Sequence, residues 1–107
     1  LRSLVHSFRI TPRAEADLDE IALYTRREHG ERQCAIYLGE FEARFGRLRE
    51  LPVLERACDR IRPGLKSQKQ GRHVVFYFHE GVTGVLIVRV LHERMAHEEH
   101  DFSSEDV

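Results

Sequence analysis

Residues 72–91 constrain this chain most. Val74, Val75, Phe76, Tyr77 and Phe78 follow one another without a polar break, and residues 85–91 are apolar at nearly every position. A strand with one wet face alternates; a strand apolar on both faces needs cover on both sides or a central place in a sheet. Gly81 and Gly84 mark a turn between the two runs. Segments 72–79 and 85–91 therefore read as the central pair of an antiparallel meander. Gln70-Gly71 is a second turn signal, so 65–69 joins the meander as a polar edge strand. Segment 6–11, with Phe8 and Ile10 on one face, supplies the other edge.

The first half of the chain is helical in its spacing. Pro12 opens a helix at the position where its missing N–H costs nothing, and Thr11 is the expected N-cap. Ala14, Leu18, Ile21, Ala22 and Thr25 form an apolar stripe to about His29, with Gly30 as a C-cap residue. A second stripe of Cys34, Leu38, Phe41, Phe45 and Leu48 predicts a helix from 31 to 51, stopped by Pro52. So short a break implies an antiparallel helical hairpin. Residues 52–64 read as a loop. The expected fold is α+β: strand, helix, helix and three strands, with the hairpin packed on a mainly antiparallel four-stranded sheet.

At 107 residues the chain is expected to be one domain, 1–107, with loose tails at 1–7 and 101–107. With 41% hydrophobic and 33% charged residues it has the composition of a globular protein and not of a disordered one. Its formal net charge of -1 gives no overall attraction to nucleic acid, so electrostatic targeting must be local. No apolar run has the length of a membrane span, and 1–7 is too short and polar for a signal peptide. The cytoplasm is the expected compartment. Cys34 and Cys58 fit no metal-ligand spacing and read as reduced thiols, Cys34 in the core.

Local charge is informative. Arg60, Arg62, Lys66, Lys69 and Arg72 cluster with no acid after Asp59. They suit an acidic partner, or guard an edge strand against aggregation. Arg89 interrupts the 85–91 apolar run and, if buried, needs a carboxylate such as Asp17 or Glu20. His97 and His100 are three apart, but spacing fixes no third ligand, so no metal site is expected. Leu23, Tyr24, Ile36 and Tyr37 fall off the two core stripes and form a candidate groove for a partner helix.

Four strings stand in one order along the chain: Ala16-Asp17-Leu18-Asp19-Glu20-Ile21-Ala22-Leu23-Tyr24, Ile61-Arg62-Pro63-Gly64-Leu65-Lys66-Ser67, Gly71-Arg72-His73-Val74-Val75-Phe76-Tyr77 and Ile87-Val88-Arg89-Val90-Leu91-His92-Glu93-Arg94-Met95. Together they resemble the ParE branch of the RelE/ParE toxin superfamily over about residues 8–100. After Met95, Ala96-His97-Glu98-Glu99-His100 departs from the family's pattern of a following Asp and a later Arg-His. The resemblance implies a non-enzymatic intracellular toxin that inhibits DNA gyrase by protein binding and is neutralised by a cognate ParD-like antitoxin. It implies no cofactor, no metal, no membrane partner and no sequence-specific nucleic-acid binding. Candidates for antitoxin contact are Leu23, Tyr24, Ile36, Tyr37, Lys66, Lys69 and Arg72. Candidates for target contact are Arg60, Arg62, Arg89, His92 and Arg94. The alternatives are a ribosome-dependent messenger-RNA endoribonuclease of the RelE type, or an inactive fold that only binds its antitoxin. No tyrosine follows Tyr77 to act as the late aromatic acid/base of the RelE pattern, although His92, His97 or His100 has suitable chemistry.

Overall fold

A computed structural model describes residues 7–95 and Phe102. Strand β1 (Phe8–Ile10) leads into helix α1 (Pro12–Phe45) and two short 3-10 turns, Leu48–Glu50 and Pro52–Leu54. Strands β2 (Arg56–Ala57), β3 (Lys66–Gln70), β4 (His73–Glu80) and β5 (Gly84–His92) come next, then a 3-10 turn at Glu93–Met95. The sheet order is β1-β5-β4-β3-β2, with β1 parallel to β5 and the other neighbours antiparallel. This is the expected α+β layering, with β4 and β5 internal.

Thr11 caps α1 by accepting the Ala14 N–H at 3.1 Å, and Pro12 takes the first turn. Gly30 breaks the helix, with φ 90° and ψ 168°. The Cys34 thiol lies 3.4 Å from the Ala22 carbonyl, whereas twelve residues of straight helix would span about 18 Å. The helix thus doubles back at Gly30 into two arms, 12–29 and 31–45. The second arm stops at Phe45, not at 51, because Gly46 caps it with an N–H bond to Glu42 O. Leu48 is buried all the same: the 3-10 turn repeats every three residues and continues the stripe beyond the helix.

The helical arms cover one sheet face. Ala14, Ile21, Phe41 and Phe45 pack with Leu48, Val75, Tyr77, Val85, Ile87 and Val90, and Leu38 joins from the margin. The opposite face carries a second cluster of Leu65, Phe76, Leu86, Val88, Leu91 and Phe102, flanked by Cys58 and Ile61. Both faces of β4 and β5 are therefore covered, as their unbroken apolar character requires. Of the two tails only Ser7 and Phe102 are described. Phe102 is only 2% exposed, its ring 4.7 Å from Phe76, and the Ser7 carbonyl accepts the Val85 N–H. The rest of the tails, His97 and His100 among them, lies outside the described residues.

The expected four strands become five, since β2 forms within 52–64. Two exposed residues carry no periodic signal. β2 also changes the expected open edge at 65–69. Arg56 and Ala57 pair with Ser67 and Lys66, and Arg44 Nη1 donates to the Lys69 carbonyl at 2.8 Å. Gln68 on β3 is 1% exposed and fully employed, its Nε2 reaching Leu48 O at 2.9 Å and Tyr77 Oη at 2.9 Å.

A bulge in β5 sets which side chains face the helices. Phe76 stands opposite Arg89 and Tyr77 opposite Ile87, which leaves Val88 as the extra residue. Strict alternation is interrupted there. Val85, Ile87 and Val90 join the helix-facing cluster, while Leu86, Val88 and Leu91 join the other. Beyond Ile87, β1 ends and the start of α1 takes over the β5 edge. Thr11 N–H bonds to Ile87 O, and the Asp17 carboxylate accepts the Val90 N–H at 2.9 Å.

Candidate functional site

Arg89 occupies the bulge and is 6% exposed. Its Nε lies 2.8 Å from Asp17 Oδ2 and its Nη2 3.0 Å from Asp17 Oδ1, a bidentate pair. One carboxylate thus holds a buried guanidinium and an open strand edge together. Arg89, a target-contact candidate by sequence, has its fork turned onto Asp17 of the helix.

Past the bulge, His92 stands opposite His73, with ring centroids 5.4 Å apart. Tyr37 Oη lies 2.6 Å from His73 Nδ1 and 3.3 Å from Gln70 O. The Tyr37 ring packs edge-on against Phe41 at 4.8 Å. Tyr37, a candidate for antitoxin contact by sequence, thus packs at the core margin. Gly71 leaves room for it: with φ 61°, an added Cβ would stand 2.8 Å from the Tyr37 hydroxyl oxygen. Burial, aided by the charge of His92, pushes His73 down to about 4, so its ring is neutral at physiological pH. Burial also raises the Tyr37 hydroxyl above its ordinary value.

Two clefts meet over this histidine pair. One, of about 500 Å³, lies between the bend of α1 and the β3–β4 turn and is lined by Tyr24, Gln33, Tyr37, Arg72, His73 and His92, with Thr25, His29 and Gly71 completing the wall. The other, of about 510 Å³, runs along the end of β5 past Asp17, Glu20, Arg89, Arg94 and Met95. Tyr24, His73 and His92 line both. Tyr24 is 62% exposed and forms the ridge between them. The structure therefore brings together residues from both candidate sets: Tyr24, Tyr37 and Arg72 from one, Arg89, His92 and Arg94 from the other.

The remaining candidates lie elsewhere. Leu23 and Ile36 are exposed on the two helical arms. Lys69 pairs with Glu93 at 2.9 Å, and Arg72 approaches the same carboxylate at 3.7 Å. The hydrogen bond from Lys69 holds Glu93 below the usual carboxylate range. Lys66 is half-buried in β3 between β2 and β4. Arg60 and Arg62 sit on the loop whose Ile61 covers the far sheet face. The five-cation cluster of the sequence is thus dispersed over separate surfaces.

Sequence reasoning missed His73, His29, Gln33 and Thr25. The His73–His92 pairing lay one residue out of reach. Counted back from the Gly81–Gly84 turn, regular pairing sets His73 opposite Leu91, and the single extra residue Val88 moves it to His92. A separate polar chain stiffens the other end of the sheet. Tyr77 Oη donates to Glu55 Oε1 at 2.7 Å, and His79 Nε2 meets the same oxygen at 2.8 Å. Burial works to raise Glu55, but its bonds to His79 and Tyr77 outweigh that and hold it low. Among the described residues no group of three or more His, Cys, Asp or Glu side chains is placed to hold a metal ion.

Known proteins resemble the chain in sequence and fold. Residues 8–97 match the family model described as ParE toxin of type II toxin-antitoxin system, parDE. The chain is 40% identical over 86 residues to Toxin ParE1 of Mycobacterium tuberculosis, covering 80% of this chain and 88% of that one. It is 39% identical over 88 residues to Toxin ParE1 of Caulobacter vibrioides, covering 82% and 90%. A solved structure of the chromosomal ParDE TA system from P. aeruginosa superposes with a TM-score of 0.64 at 17% identity, covering 82% of this chain and 96% of that chain, a likeness of fold. With a family match across most of its length and relatives near 40% identity, the chain belongs to the ParE toxin family of type II toxin–antitoxin systems.

Proposed function

We propose that the chain is a non-enzymatic toxin that inhibits DNA gyrase by binding it and is neutralised by a cognate ParD-like antitoxin. The observation that carries this reading is its 40% identity, over most of both chains, to a protein named Toxin ParE1. The surface supports a binding protein: Leu23, Tyr24 and Ile36 are large apolar side chains left exposed on the helical arms. We assign these three to a helix of the antitoxin, and the cleft past His92 and Arg94 to the target. The cytoplasm is the proposed compartment; no helix among the described residues is long and apolar enough to cross a membrane. The whole chain is proposed to act as one domain without cofactor.

The test uses purified full chain with gyrase in a supercoiling assay, with and without the antitoxin encoded beside it. Inhibition that the antitoxin reverses is the expected result. Unimpaired supercoiling at saturating toxin would remove gyrase from the account. Codon-dependent messenger-RNA cleavage on ribosomes, lost in His92→Ala, would move the chain to the ribonuclease branch.

A further inference from the structure

Among the described residues, the cleft between the bend of α1 and the β3–β4 turn is lined by one guanidinium, three imidazoles, two phenols, a carboxamide and a hydroxyl, and by no carboxylate. In a chain with 18 acidic residues against 17 Lys and Arg, a cleft wall this free of acid is a distinct chemical feature. The neighbouring cleft has Asp17 and Glu20 in its wall. From this we infer that the acid-free cleft is a recognition pocket for a single peptide carboxylate, flanked by an apolar side chain, on the antitoxin; the identity of the partner rests on the proposed toxin–antitoxin function.

The donors suit a carboxylate. Arg72 is 75% exposed at the rim; among the described residues the acid near it is Glu93, 3.7 Å away and held more closely by Lys69 at 2.9 Å. Its planar fork matches a carboxylate in geometry and charge. His92 is fixed in orientation: its Nδ1 accepts the Arg94 N–H at 3.1 Å, so the ring proton of the neutral form is on Nε2 and available to donate. Gln33 adds an amide donor. The rings of Tyr24 and Tyr37 supply apolar wall for the flanking side chain.

Charge also sets the class of ligand. A polyphosphate backbone calls for several cations along its track. Among the described residues this cleft has one permanent cation, and His73, at about 4, stays neutral. One positive charge in a mainly aromatic hollow is the complement of one carboxylate, not of a nucleic acid strand.

A double-mutant cycle tests the pocket. Each Asp and Glu of the antitoxin is changed to its amide, and each variant is titrated against the unmodified chain, Arg72→Gln and Lys66→Gln. One acidic position is expected to lose at least tenfold in affinity against the unmodified chain and almost nothing further against Arg72→Gln, while Lys66→Gln leaves that loss intact. Folding is checked by thermal melting of each variant, and Arg72→Lys should restore part of the loss, since it keeps charge without the fork. Tight antitoxin binding with no position coupled to Arg72 would overturn the pocket alone. No antitoxin binding by the unmodified chain would overturn both the pocket and the partner reading. Displacement of the antitoxin by a short oligoribonucleotide, but not by an acidic peptide cut from it, would overturn the choice of ligand class.

Discussion

Replacing Asp17 should expose how much of the fold hangs on one carboxylate. Its two oxygens hold the Arg89 fork at 2.8 and 3.0 Å, and one of them also accepts the Val90 N–H at 2.9 Å. The side chains of the pair, Arg89 and Asp17, are 7% and 12% exposed, so solvent screens them little. Asp17→Ala would leave a buried guanidinium without its carboxylate and a strand-edge N–H without an acceptor. Breaking one side of a buried pair costs about 3–5 kcal/mol. At about 4–8 °C per kcal/mol for a domain near this size, the midpoint should fall by roughly 12 °C or more. Asp17→Asn separates the two roles: an amide oxygen still accepts the Val90 N–H, but the charge is gone. It should be less damaging than alanine. Arg89→Met should also be milder than Asp17→Ala, because it removes the charge itself, and adding it to Asp17→Ala should recover part of that loss. Urea titrations of the three single variants and the double variant give the cycle. If Asp17→Ala costs less than about 1 kcal/mol, or if the two changes simply add, the pair does not clamp the helix to the strand.

Three further outcomes rest on the packing and the histidine pair. Phe41→Ala, in the helix-facing cluster, should cost about 3–5 kcal/mol in a denaturant titration, and a loss under about 1 kcal/mol would mean the second helical arm is out of phase. Phe102→Ala should destabilise the far sheet face and increase dye binding to exposed apolar surface, read by ANS fluorescence; an unchanged melt would release Phe102 from the second cluster. His73, unprotonated in the fold down to about 4 against an ordinary value near 6.5, contributes stability fully present above 6.5 and lost as pH falls toward 4, since the unfolded chain binds its proton first. The loss should be on the order of 2–3 kcal/mol, measured as melting against pH. His73→Gln should flatten that slope.

The sequence made the sheet's centre and the helical break legible for plain physical reasons. Unbroken apolar runs leave β4 and β5 few places to go, and a glycine between two stripes marks a reversal, as Gly30 does with its positive φ. The end of the second arm was harder, because Leu48 keeps the spacing while the backbone has already changed to a 3-10 turn. β2 was invisible at two residues, and Phe102 looked like tail because its neighbours are polar. Arg89 could be paired with a helix acid in advance, since a charge inside an apolar strand has few alternatives. Tyr37 was readable as core-edge packing, but not its partners, because a position off the core stripe says nothing about the turn at Gly71 that folds over it. The histidine pair depended on a one-residue offset that no composition rule announces.

That offset, the extra Val88, works like a parity change in a message. Val88 has no partner across the ladder, so deleting it would close the bulge and leave Ile87 opposite Tyr77 and Arg89 opposite Phe76. Losing a paired residue beyond it, such as Val90, would instead slide His92 out of step with His73. A deletion in the Gly81–Gly84 turn, by contrast, would alter only how the hairpin closes. Length variation in this fold should therefore be tolerated at the hairpin tip and forbidden among the paired residues of β4 and β5. The cleft over His73 and His92 is then inherited with the strand's frame and not with any loop.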